Sequence, residues 1–229
     1  MGGLLVLALG SGCAEQPAVQ SAAVAATRPP TAQGAPVTTA AQPLPPLLKD
    51  LVADSTRGIT LAESQTLHQA QLDATTRTTA QAYVVAHPDQ HAYHLLFALR
   101  RLAPATYQQV PAGTRAAVLC AALAQQTYLN DWGYLDVSGS YDGEAALALL
   151  ELGPAAQAPL IPLLADRREA LLFGSEEATL STMYQYRRND FAYRYLTLIR
   201  GEQPTFADTP AHRDAAIHLL QQQLAAPPP

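Results

Sequence analysis

From residue 45 onward apolar positions return every three or four residues, the spacing of helices with one buried face. Leu47, Leu48, Leu51 and Val52 share a side of a short first helix that starts near Pro45 and Pro46. Thr60 followed by Glu63 has the form of a capping box, in which each side chain satisfies the other's free backbone N–H. A helix is predicted from there to Ala86, stopped at Pro88, with Thr75–Thr79 as its weak point because threonines compete with the helical backbone. Asp89 is placed to cap a helix carrying Ala92, Leu95, Leu96, Leu99 and Leu102, which ends at Pro104. Thr114 opens another, with Val118, Leu119, Ala122, Leu123 and Leu129 on its buried face and Asn130–Gly133 closing it. Asp142 is placed to cap a short apolar helix from Glu144 to Leu152, terminated by Gly153-Pro154. A last helix follows Asp208-Thr209, with Pro210 at its first position. No persuasive run of alternating strand residues occurs, so the expected class is all-α, either an irregular helical bundle or a short array of helical hairpins.

The N-terminal pattern is different. Leu4–Leu9 is an apolar run too short to span a bilayer, and small residues lead from it to Cys13. That is the layout of a signal peptide over residues 1–12. Ala14–Pro46 is rich in Ala, Pro, Thr and Gln, with Glu15 and Arg28 its only charges. Such a segment buries too little apolar surface to offset chain entropy and is expected to be disordered. About 33 residues of it would reach roughly 30 Å as a random coil. The domains expected are therefore 1–12, a linker over 13–46, and a helical body over 47–226.

Two resemblances sharpen this reading. Small residues directly before Cys13 resemble the lipobox of bacterial lipoproteins, although Gly10 stands where that family prefers Leu and no basic residue precedes the apolar run. The resemblance implies a diacylglycerol on the Cys13 sulfur, cleavage before it, and a body held to a membrane on the non-cytoplasmic side of a bacterial envelope. An ordinary cleaved signal is the alternative. Farther on, Ala145–Asp166 resembles a HEAT-like repeat of the phycobilisome-lyase type, carried by Leu152, Gly153, Ala156, Pro159, Leu160, Leu163, Leu164 and Asp166. Asn189–Gly201 resembles the first helix of a next repeat, after an insertion over Arg167–Arg188. This implies a HEAT-like hairpin within the helical body.

Composition narrows the function. Only 14% of residues are charged, against about a quarter in typical soluble proteins. A net charge of −5 argues against nucleic acid, which needs a basic face. With Cys13 lipidated, Cys120 has no intrachain partner, and its apolar neighbours mark it as a buried small hydrophobe.

Two polar, aromatic segments interrupt the apolar helices, Leu129–Gly143 and Phe173–Asp190, and seven of the ten tyrosines lie between residues 128 and 195. Tyr, Trp and Arg give large contact area at low entropic cost. Asp131, Trp132, Tyr134, Tyr184, Tyr186, Arg187 and Arg188 are thus a candidate surface for a protein or peptide partner. The competing reading is that they cap helix ends and cover core edges. Asp136, Ser138, Ser140, Asp142 and Glu144 alternate as in a calcium loop, but Tyr141 and Leu147 stand where an EF-hand needs Gly and Glu. His87, His91 and His94 lack the further ligands zinc requires, so no metal or cofactor is expected. Asp131, Asp136, Glu176 and Glu177 offer carboxylates to an alternative reading as an envelope hydrolase of cell-wall or glycan material. The adjacent pair diverges by about 100° on a helix, however. A purely structural lipoprotein is the third reading.

Overall fold

The computed structural model describes residues 43–135, 143–204 and 209–225, and residues 42–229 form one compact unit. Cys13 with the segment expected to be a lipobox, most of the expected linker, residues 136–142 and Asp208, expected to cap the last helix, lie outside the described residues. Among the described residues the body is all-α, with eleven α-helices and no strand. No single described helix is long and apolar enough to cross a membrane.

Helix α1 (Pro46–Arg57) begins with Pro46 at its first turn and buries Leu48 and Leu51. The Thr60–Glu63 box forms, with Glu63 N–H donating to Thr60 Oγ1 at 3.2 Å and Thr60 N–H to Glu63 Oε2 at 3.4 Å. The helix expected to run on from it does not. Ser64 accepts from Leu67 N–H at 3.0 Å and starts a one-turn α2 (Gln65–Gln69). Asp73 then accepts from Thr76 N–H at 2.7 Å and starts α3 (Ala74–Ala86). Two further capping side chains in the stretch divide it at 70–73. The threonines expected to break it lie inside α3, where Thr78 and Thr79 donate to carbonyls four residues back.

Asp89 caps a 3-10 turn, Gln90–Ala92, that feeds the buried helix α4 (Tyr93–Leu102). Pro104 does more than end α4: it occupies the first turn of α5 (Pro104–Gln109). Helix α6 (Ala112–Gln125) is the spine, packing on α3 and α4 and also on the C-terminal elements. It holds Cys120, 4% exposed, whose thiol burial pushes up to about 12.

The hairpin region consists of α7 (Glu144–Glu151) followed by Gly153–Ala165, which turns by 111° from it. This second arm is two 3-10 turns around a four-residue α8 (Gln157–Leu160). Residues 168–171, expected to be part of an insertion, form a short extended ribbon. Ala170 N–H donates to Tyr186 O at 2.8 Å on one side, and Leu129 N–H to Leu171 O at 3.0 Å on the other. Helix α9 (Ser175–Tyr184) follows, then α10 (Arg188–Ile199) and α11 (Pro210–Ala225). Helix α10 packs on α7, α8, Ile161–Ala165 and α11.

Loop 126–135 is held by polar bonds to buried atoms. Three buried tyrosines donate to backbone carbonyls: Tyr93 to Trp132, Tyr134 to Leu119, and Tyr195 to Tyr134. Gly133 adopts φ 73° and its carbonyl accepts from Ala145 and Ala146 N–H, capping α7. A Cβ at Gly143 would lie 2.5 Å from that oxygen, so the approach admits only glycine there.

A candidate binding cleft at the end of helix α1

The two aromatic segments meet at one concave place. Asn130 donates its amide to Phe173 O at 2.7 Å and accepts from Phe173 N–H at 2.9 Å, so loop 126–132 and residue 173 are fixed to each other. The Tyr128 and Phe173 rings meet edge to face at 5.6 Å, and both remain exposed, Phe173 by 60%. Opposite them stand Arg57, Gly58, Thr60 and Glu63, at the end of α1 and in the capping turn. The cleft between these walls measures about 380 Å³. Pockets of this size take small ligands or a few residues of peptide.

The cleft is acidic on one side. Burial raises the Asp131 carboxyl above its ordinary value, and the nearby charges of Glu63 and Glu177 raise it further. An acid beside two other carboxylates can hold or give a proton, and it can also receive a cationic side chain. Arg57, exposed at the mouth, pairs with buried Asp54 at 2.8 Å.

The sequence-predicted residues divide. Asp131 is half-buried in the cleft wall. Trp132 also lines it but is only 3% exposed, with its ring 4.8 Å from Tyr93 and edge-on to His94 at 5.6 Å. Tyr134 is fully buried. Arg188 is 6% exposed and donates to the Leu123 and Gln126 carbonyls, closing the end of α6. Trp132, Tyr134 and Arg188 are therefore withdrawn from the recognition surface, since their contact area and donors are used inside the body. Tyr184 and Tyr186 stack at 5.5 Å and are half-buried, with Arg213 of α11 over the Tyr186 ring. Arg187 pairs with Asp190 at 3.0 Å and Asp214 at 2.9 Å. These three belong to the junction of α9, α10 and α11.

Tyr128, Phe173, Glu63 and Arg57 enter the cleft without having been singled out as ligand contacts. Nothing local marks them, because the pairing of 129 with 171 and of 130 with 173 joins segments some forty residues apart. The three histidines point to separate partners. The His87 ring packs tilted against Tyr83 at 4.4 Å, His91 Nδ1 is 3.0 Å from Thr56 Oγ1, and His94 Nδ1 is 2.8 Å from Ser55 Oγ. Among the described residues no group of three His, Cys, Asp or Glu side chains is arranged to hold a metal ion. No protein family, curated protein or solved structure matches this chain.

Proposed function

We infer that this chain is a lipid-anchored envelope protein whose helical body binds a peptide segment of a partner, without catalysis, in the cleft at the end of α1. The observation that carries the reading is the exposed Tyr128–Phe173 pair in a cleft whose lining also includes Asp131 and Glu63. Exposed aromatics beside carboxylates suit a segment that lays an apolar residue on the rings and brings Lys or Arg to the acids. The tether rests on the likeness of the Cys13 region to lipoprotein signals, and the HEAT-like reading of 145–166 accords with a scaffold role.

Selection of a random peptide library against the full chain tests the cleft. Basic peptides should be enriched, and Phe173→Ala or Asp131→Asn should weaken them about tenfold. Selected peptides that bind both variants as tightly as the parent would remove the cleft from consideration. In the native host, Cys13→Ser should release the protein from the membrane fraction.

A second reading, glycan hydrolysis, is favoured by one observation: Asp131 lines the cleft, and burial, with Glu63 and Glu177 nearby, raises its carboxyl pKa in the direction a general acid requires. It requires turnover of a cell-wall glycan by the purified chain, lost in Asp131→Asn. Absence of cleavage at any pH between about 4 and 8, the span in which such acids operate, decides against it.

A further inference from the structure

Behind the lining of the cleft at the end of α1 lies one buried imidazole. His94 of α4 is fully buried, and its ring stands edge-on to Trp132, a lining residue, at 5.6 Å. On the α1 side, His94 Nδ1 is 2.8 Å from Ser55 Oγ, which also accepts from the His94 backbone N–H at 3.1 Å. The backbone of Ile59 and Thr60 acts on the ring as well, from the turn that contributes Gly58, Thr60 and Glu63 to the lining. Two parts of the cleft, Trp132 and this turn, therefore meet at His94. Its Nε2 is buried without a hydrogen-bond partner. A charged imidazole donates from both nitrogens, and Ser55 answers only one of them. A buried donor left without an acceptor is costly enough to drive a local rearrangement.

The turn over 58–63 is the part able to move. Gly58 opens it at φ 74° with open space around its Cα, which makes a hinge. Beyond the hinge the turn is tied to α1 mainly through Asp54, whose carbonyl accepts from Ile59 N–H at 3.0 Å and whose Oδ2 accepts from Ser64 Oγ at 2.6 Å. Burial opposes a proton on His94 and Arg101 of α4 adds to that, while the Thr60 and Ile59 backbone and the Asp54 carboxylate favour one. Other ionisable groups on the surrounding elements have partners of their own. Arg57 pairs with Asp54, His91 lies on Thr56, and Arg77 donates to the Asp73 carbonyl. Tyr83 packs on His87, Arg115 covers the Tyr107 ring, and Tyr93 donates to the Trp132 carbonyl. Lys49 and Asp50 are exposed. A swing about Gly58 brings the backbone of Ile59 and Thr60 into play as the second acceptor and, in the same movement, changes the cleft. We propose that His94 is an acid-sensitive latch, whose protonation displaces the 58–63 turn and releases the ligand of the cleft. Only the ligand in this statement rests on the peptide-binding reading.

Trp132 is the only tryptophan of the chain, so its fluorescence reads the latch in the full-length protein without any ligand. Between pH 6.5 and about 4 the emission should dim in one step, because an imidazolium quenches a neighbouring indole, while the helical circular dichroism holds. The step should persist in Asp131→Asn, which sets aside the neighbouring carboxyl, and vanish in His94→Gln. Ser55→Ala removes the Nδ1 partner and should move the midpoint lower, a test that stands even where His94→Gln fails to fold. A basic peptide selected from the library should shift the step to lower pH, since binding and protonation oppose each other reciprocally. Over the same range its affinity should fall about tenfold further in the parent than in His94→Gln. The proposal is overturned by a parent without the step, by a step retained in His94→Gln, or by one that coincides with loss of the helical signal. Equal losses of peptide affinity in parent and His94→Gln also overturn it. A step in a protein that binds no basic peptide at neutral pH supports the latch and removes the peptide reading instead.

Discussion

Asp190→Ala should lower the unfolding free energy by about 3–5 kcal/mol, the loss expected when one partner of a buried ion pair is removed. Asp190 is fully buried at the first turn of α10. Its Oδ2 accepts from the Arg187 backbone N–H at 2.9 Å, its Oδ1 lies 3.0 Å from Arg187 Nη2, and Arg213 Nε approaches Oδ2 at 3.1 Å. Arg213 is itself 1% exposed and also donates to the Tyr184 and Gln185 carbonyls, so it cannot swing out to water without undoing the end of α9. Truncation of Asp190 therefore takes a carboxylate away from two confined guanidiniums and uncovers a helix-initial N–H. Against a typical total of about 5–15 kcal/mol, that is a large fraction. Urea unfolding should show a lower midpoint at an unchanged slope. Asp190→Asn keeps the shape and the cap but loses the charge, and should lose most of the same amount. A cost below about 1 kcal/mol, the level of an exposed pair, would mean that Asp190 is not the charge that holds α9, α10 and α11 together.

The second large effect depends on pH. His94 is fully buried, and burial, the dominant cause, lowers its pKa from 6.5 to about 4 against the opposing pull of the Thr60 backbone and Asp54. Above pH 6.5 the imidazole is neutral in both folded and unfolded chains and adds nothing to the pH dependence. Between 6.5 and about 4 the unfolded chain takes up a proton that the folded one refuses. Stability then falls with falling pH and levels off below the folded value. The full loss is about 3 kcal/mol, at 1.36 kcal/mol per pH unit. Asp54 acts in a lower window. Burial alone would raise its pKa, but hydrogen bonds from Ser64, Thr66 and Arg57 outweigh that and lower it, so its contribution disappears only as pH drops below 3.8. A His94→Gln variant should show a flatter stability profile between pH 4 and 6.5. An unchanged profile would show that His94 charges freely in the folded state.

The helices were legible where their ends carry a local chemical signal. Pro46, Asp89, Gly153 and Pro210 each mark a boundary that the structure keeps within a residue or two. Thr60–Ala86 reads as one helix because a single capping box opens it, whereas in the structure Ser64 and Asp73 compete as later starts. The aromatic segments were harder for a different reason. Tyr, Trp and Arg mark both a contact surface and a buried anchor, and what separates the two is whether a distant acceptor is in reach. Tyr134 finds the Leu119 carbonyl and Arg188 finds that of Leu123, 65 residues away. Periodicity has no access to such partners. The cleft was half legible: Asp131 stood out in a polar loop, but Glu63 read only as a capping residue, and in the structure it is both cap and cleft wall.

The sealed thiol of Cys120 gives the protein an internal clock. In the closed state its sulfur is neither accessible nor ionised, and alkylating reagents attack thiolates. Modification at that position therefore has to wait for α6 to come loose. In a chain carrying Cys13→Ser, the rate of mass gain with excess reagent would count those openings one molecule at a time. It would report how often the spine of this fold lets go under conditions where the protein as a whole stays native.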